Sequence, residues 1–226
     1  MNTKAYDAAG ALCTMNDMGI CCITSGKREE ASFMFQQCLR EVRRQMTTDA
    51  APPQDVITVF QPIATDACRS VGVSNRLTHD ACFEIYDIAF SIKFLNESKP
   101  NLGFGASAML YNMALNDQIT FISTGSSNHL KRATSLYKKA LQIMISLDNQ
   151  DEDYGKCLFV LALCNNLGYC FTDLCDLQGK RTCQRQLEHI LSDPKCSSYL
   201  SFEDFEFFHL NSLLAGADIK TAAAAW

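Results

Sequence analysis

The chain has 226 residues, of which 47% are hydrophobic and 20% charged, and its formal net charge is −5. This composition is that of a globular protein long enough to bury a sizeable core, which excludes an intrinsically disordered chain. The negative charge argues against a protein that binds nucleic acid by neutralising phosphates, and the absence of an apolar run of about 18 residues predicts no transmembrane helix.

Two helices are predicted before the first break in the pattern. Residues 4–25 carry an apolar stripe at three- and four-residue spacing, and residues 28–46 carry a second one after the turn-forming letters TSGK. A connection this short makes two helices lie antiparallel and in contact. Gly19 lies within the first stripe, so we expect the second helix to approach closely there, with Ala31 as its contact.

Residues 48–104 show a different pattern. The stretches 55–60 and 82–95 are rich in β-branched and aromatic residues, which favours a β-hairpin with a long polar tip; a helix over 82–95 is the alternative. An isolated hairpin is marginal in water, so we expect one face of it to pack on the next helix, 106–123. We expect the tip at 66–80 to be mobile.

The helical pattern resumes after this insertion. Helices are predicted over residues 106–123, 129–147, 151–175 and 180–192. A last helix begins after Ser201, whose side chain can cap it. The chain is thus predicted to be a single all-α domain, 1–226, built of antiparallel helix pairs, with the hairpin region 48–104 inserted between the first and second pairs.

A three-residue pattern recurs in the second helix of each pair. It consists of a small residue, a large apolar residue four positions later and a small or apolar residue three positions after that. Its copies are Ala31–Phe35–Cys38, Ala133–Tyr137–Ala140 and, in degraded form, Cys183–Leu187–Ile190. The first helices carry the segments NDMG, YNMA and NNLG, in which Gly19, Ala114 and Gly168 take the close-contact position.

These residues resemble the tetratricopeptide repeat (TPR) family, whose unit is a helix–turn–helix. The first copy has the family's spacing, whereas the later copies have longer connections. The layout is also similar to an algal set of divergent TPR-like proteins with an inserted β-hairpin. The resemblance implies a TPR-like superhelix, and a protein–protein interaction module or scaffold that binds a protein or peptide segment through its concave helical surface.

The resemblance also implies candidate partner-binding residues. In the branch of the family that grips a C-terminal carboxylate, an Asn at the position of Asn112 and Asn166 contacts peptide backbone, and Asp17 is the corresponding residue of the first copy. The basic residue that such a clamp needs is missing, so a carboxylate clamp is not expected. Hydrogen bonding between helices is an equal alternative for the two Asn. Lys131 and Lys138, seven residues apart on one helix face, are further candidates, with a solvated face as the alternative.

Two other functions stay open. The chain could be a structural subunit that docks onto a larger assembly through the hairpin, or an enzyme with a site between hairpin and helices. However, no nucleophile–base pair, metal-ligand spacing or phosphate loop occurs, and the four His are scattered. We therefore expect a protein that is not an enzyme and has no catalytic residues, no cofactor and no metal.

The sequence contains twelve Cys. Its start, MNTKAYDAAGALC, lacks the basic-then-apolar order of a signal peptide, so we expect an intracellular location, in cytoplasm or nucleus, and reduced thiols. Cys38, Cys157, Cys164 and Cys183 lie on apolar stripes, where small buried residues are needed. A metal-binding or disulfide framework is the alternative.

Overall fold

The computed structural model describes residues 3–48, 57–65, 83–95, 102–147 and 154–224. This part of the chain is mostly helical and contains one two-stranded antiparallel sheet, as predicted. Its elements are α1 (Thr3–Thr24), α2 (Arg28–Thr48), β1 (Ile57–Ala64), β2 (Ile88–Leu95), α3 (Leu102–Thr124), α4 (Ser127–Ser146), α5 (Tyr154–Asp173), α6 (Leu177–Ser192), α7 (Pro194–Tyr199) and α8 (Phe202–Ala224).

The largest differences from the predicted boundaries lie around the hairpin. β1 runs on through Pro62 to Ala64, and residues 83–87 lie outside the strand ladder, so the second strand begins only at Ile88. The short helix α7 was not predicted; Asp193 caps it by accepting a hydrogen bond from the Lys195 N–H at 2.9 Å. The predicted mobile tip at 66–80 lies outside the described residues.

The chain divides into two compact units, each with its own core. Among the described residues, the first unit contains α1 to α4 and both strands. The second contains residues 83–86 together with α5 to α8. In the first unit α1 packs on α2, α2 on α3 and α3 on α4; in the second α5 packs on α6 and α6 on α8. The predicted insertion is therefore shared between the two units.

A residue with left-handed backbone geometry ends the first helix of each pair. Gly26, Gly125 and Cys175 have φ values of 73°, 72° and 57°. The turn after Cys175 repeats the one after Gly26: the Asp176 N–H donates to the Phe171 carbonyl at 2.8 Å, as the Lys27 N–H does to Cys22 at 2.9 Å. This geometry suits glycine and strains any residue with a Cβ, so Cys175 stores strain that the two glycines do not.

Cys175→Gly should stabilise the protein by about 1 kcal/mol, because glycine adopts this backbone conformation without the Cβ clash. Cys175 is exposed, so the change removes no buried contact. The matched control is Cys21→Gly, an exposed thiol within α1, which should destabilise by about 0.5–1 kcal/mol. Urea unfolding measures both changes, and two shifts of the same sign would contradict this account.

Gly19 provides the close approach expected of it. A Cβ atom there would lie 2.5 Å from the Phe35 ring, whose atoms are its nearest neighbours. The ring of Phe35 reaches across the helix pair and fills the space left by the missing side chain. Ala31, the expected contact, is fully buried, as is Phe35.

The cysteines only partly match the expectation. Cys38, Cys164 and Cys183 are buried free thiols, and burial raises the pKa of Cys38 and of Cys164 to about 12. Cys157, expected to be another buried thiol, instead forms a disulfide with Cys196 across a Cα–Cα distance of 6.2 Å. The expectation of reduced thiols is wrong for this pair. The bond links α5 to the unpredicted helix α7, which brings Cys196 within reach.

Iodoacetamide at pH 8 should label Cys21 and Cys175 first and leave Cys38 and Cys164 unlabelled. Only about one in ten thousand thiols with a pKa near 12 is a thiolate at that pH, and the thiolate is the reactive form. Cys157 and Cys196 should become labelled only after reduction. Peptide mapping by mass spectrometry reads out each site; labelling of Cys164 as fast as Cys175 would contradict the burial assignment.

Candidate functional site

The hairpin register directs the backbone of Phe90 towards the helices of the first unit. Phe90 is paired with Pro62 on the neighbouring strand. Proline has no N–H, so this is a pair that exchanges no backbone hydrogen bonds. The N–H and C=O of Phe90 consequently point away from β1. Phe90 is fully buried, and both groups need a partner.

The side chain of Asn112, on α3, supplies both partners. Its Oδ1 accepts from the Phe90 N–H at 2.9 Å and its Nδ2 donates to the Phe90 carbonyl at 2.8 Å. Asn16, on α1, donates to the same carbonyl at 3.0 Å and accepts from Asn112 Nδ2 at 3.0 Å. The two Asn are fully buried. A carboxamide thus takes the place of a third strand along β2.

Further contacts align β2 with the helices of the first unit. The Tyr111 hydroxyl donates to the Ile88 carbonyl at 3.1 Å, and the Ser91 hydroxyl donates to Asp17 at 2.6 Å. The Phe90 ring meets Tyr111 edge-on at a centroid distance of 5.1 Å. The hairpin therefore packs on the helix that was predicted over 106–123, as expected.

The second unit holds residues 83–86 in the same manner. Asn166, on α5, accepts from the Tyr86 N–H at 2.9 Å and donates to the Tyr86 carbonyl at 3.0 Å. Asn211, on α8, accepts from the Glu84 N–H at 2.6 Å, and Asn165 donates to the Glu84 carbonyl at 2.7 Å. These three carboxamides are buried, with at most 2% of each residue exposed.

Two aromatic side chains anchor this short segment. The Tyr86 hydroxyl donates to Asp204 at 2.9 Å, and its ring lies 4.8 Å from that of Phe208. The Phe83 ring lies against Gly168, where a Cβ atom would be 2.7 Å from it. Gly168 makes room for an aromatic ring of the extended segment, a contact that was not predicted from the sequence.

Asn112 and Asn166 perform the same chemistry in the two units. Each lies two residues before the small residue of its helix, Ala114 or Gly168, and each engages the N–H and C=O of one extended residue. Every residue except proline offers this pair of groups, so the arrangement recognises an extended main chain rather than a particular side chain. The extended chain it holds here belongs to the protein itself.

The remaining predicted site residues lie elsewhere. Lys131 and Lys138 are both on the exposed face of α4. Asp17, besides accepting from Ser91, borders an open groove of about 440 Å³. The groove is lined by Thr14, Asp17, Met18, Cys21, Cys22, Ser25 and Lys27. Burial and the nearby Glu30 raise the pKa of Cys22, so its thiol is not an activated nucleophile.

Three residues of the site were not identified from the sequence. Asn16 lies one position before Asp17 and makes the backbone contact that the resemblance assigned to the Asp17 position. Asn165 directly precedes Asn166, and Asn211 lies in the last helix, outside the repeating pattern. The doubled polar letters ND and NN within otherwise apolar helices were the available signal, since a buried polar pair needs partners.

A charged cluster joins α3 to α4. Both oxygens of the buried Asp117 carboxylate accept from Arg132, and one lies 3.2 Å from His129 Nδ1. The hydrogen bond to Asp117 raises the pKa of Arg132. The guanidinium neutralises the carboxylate, so Asp117 and Arg132 form a structural ion pair with His129 beside it. Among the described residues no three His, Cys, Asp or Glu side chains form a group that could hold a metal ion.

None of the described helices is long and apolar enough to cross a membrane. Comparison with protein-family models, with curated proteins and with solved structures finds no match to this chain.

Asn112→Ala should destabilise the protein by about 2 kcal/mol or more, because it leaves the buried Phe90 N–H without a partner. The matched control is Asn128→Ala at an exposed position of α4, which should change the unfolding free energy by no more than about 0.5 kcal/mol. Urea titration followed by circular dichroism compares them. Equal midpoints for the two variants would show that the amide contact to Phe90 does not stabilise the fold.

Proposed function

We propose that the protein is a TPR-like, helical-repeat interaction module that binds a protein or peptide segment. The observation that carries this proposal is the pair of buried carboxamides, Asn112 and Asn166, each engaging both backbone groups of an extended residue. A peptide-binding scaffold needs side chains that hydrogen-bond the main chain of an extended peptide, and these two Asn residues make such bonds from their helices. Three helix pairs joined by short turns with a left-handed residue also support a repeat architecture.

In this proposal the exposed candidates contact the partner. Lys131 and Lys138 present two positive charges on one face of α4, which suits an acidic segment of a partner. Asp17 and the groove beside it offer a second surface with one carboxylate and the half-exposed side chain of Met18. Asn112 and Asn166 are buried and hydrogen-bond the chain's own segment, so the partner contacts the exposed residues instead.

The alternative proposal is a structural subunit that docks through the hairpin. Addition of a partner strand to the outer edge of β1 meets an obstacle at Pro62. Its register opposite Phe90 turns its nitrogen to that outer edge, where it has no hydrogen to donate. Proline at such a position is a common protection of edge strands. This geometry favours the interaction module over docking by strand addition.

A partner captured by the tagged full-length chain should be lost on the double charge reversal Lys131→Glu/Lys138→Glu. The matched control is Lys195→Glu, an exposed lysine of α7 in the other unit, which should leave recovery unchanged. Quantitative mass spectrometry of the captured material compares the three proteins. Equal loss from both variants, or recovery that neither variant changes, would contradict binding through the α4 face.

A further inference from the structure

We propose that the helices of the second unit form a binding site for extended peptides that carry an aromatic residue and, three positions later, a tyrosine. Residues 83–86, with the sequence Phe-Glu-Ile-Tyr, are the chain's own occupant of this site. The inference rests on the proposed function and names the ligand class that one part of the module recognises.

The hydrogen bonds at the middle of the site contact only the main chain of the bound segment. Asn211 and Asn165 engage the N–H and C=O of Glu84, whose side chain is exposed. Asn166 engages both backbone groups of Tyr86. Any residue except proline satisfies these contacts, so selectivity comes from the two anchors at the ends of the segment.

The first anchor is the space beside Gly168 that holds the Phe83 ring, called the socket below. Phe83 is 2% exposed, and its ring occupies the space of the missing Gly168 side chain, 2.7 Å from where a Cβ atom would stand. A flat ring fits against a bare helix backbone, whereas a longer residue at position 168 would fill the socket itself. This part of the site therefore selects an aromatic side chain.

The second anchor distinguishes tyrosine from phenylalanine. The Tyr86 ring lies between 4.8 and 5.4 Å from the rings of Phe208 and Phe207, and its hydroxyl donates to Asp204 Oδ1 at 2.9 Å. Ser201 holds the carboxylate in place by donating to its other oxygen at 2.6 Å. A phenylalanine would leave this carboxylate without the hydroxyl proton.

One polar group of the site has no partner in the part of the chain that the structure describes. Asn165 is fully buried, and its Oδ1 accepts no hydrogen bond from the described residues, although its Nδ2 donates to the Glu84 carbonyl. Buried carboxamide oxygens are normally satisfied. The segment 83–86 thus leaves one acceptor unused, which a ligand with a suitably placed donor could satisfy.

The test is a binding assay in trans with the full-length chain. The probe is a fluorescein-labelled synthetic peptide of residues 80–89, with serine in place of Cys82. Phe83→Ala/Tyr86→Ala empties both anchors of the chain's own segment. This variant should bind the peptide, measured by fluorescence anisotropy, at least about tenfold more tightly than the wild type, whose own segment competes. A peptide with phenylalanine for its tyrosine should bind about tenfold more weakly.

Adding Gly168→Leu to the double variant should abolish binding by filling the socket, whereas adding Lys195→Glu should not. Circular dichroism tests whether each variant is folded. If the double variant is not folded, the single variant Tyr86→Phe replaces it and should still bind the probe more tightly than the wild type.

Absence of peptide binding by a folded variant, or binding that Gly168→Leu leaves unchanged, would overturn the inference. Such a result, together with a partner that is lost on reversal of Lys131 and Lys138, would leave the proposed function standing.

Discussion

Buried backbone polar groups need partners, and in this protein the carboxamides of helical Asn residues supply them. A primary amide presents an acceptor and a donor side by side, as the edge of a strand does. Asn112 makes hydrogen bonds to the N–H and C=O of Phe90, and Asn166 makes them to those of Tyr86. A neighbouring strand would otherwise make these bonds. An extended segment can therefore be buried against helices, which have no free backbone groups of their own to offer along their length.

Several other features follow from this constraint. Pro62 has no N–H, and its register opposite Phe90 leaves the backbone groups of Phe90 directed at Asn112. Gly168 lacks a side chain, which lets the Phe83 ring lie against α5. In both units the extended segment adds aromatic rings to the core, Phe90 on Tyr111 in one and Tyr86 on Phe208 in the other. The segment is thus held by polar contacts along its backbone and by apolar contacts at its side chains.

The helices were predictable because their periodicity is local, and Asn112 and Asn166 were identifiable because they recur two residues before a small residue. What these Asn bind could not be predicted, since Tyr86 lies 80 residues from Asn166. The same limit explains why the contact of Gly168 with Phe83 and the disulfide between Cys157 and Cys196, 39 residues apart, were not predicted. Spacing identifies a position that needs close contact, but the side chain that fills it depends on tertiary packing.

Hydrogen exchange of individual backbone amides, followed by NMR, tests the central claim most directly. The Tyr86 and Phe90 amides donate to side-chain carboxamides, whereas the Ile85 amide has no hydrogen-bond partner among the described residues. We expect Tyr86 and Phe90 to exchange slower than Ile85 by about two orders of magnitude or more, with the protection of Phe90 lost in Asn112→Ala. Exchange of Tyr86 and Phe90 as fast as that of Ile85 would contradict the claim that the Asn carboxamides hold this segment.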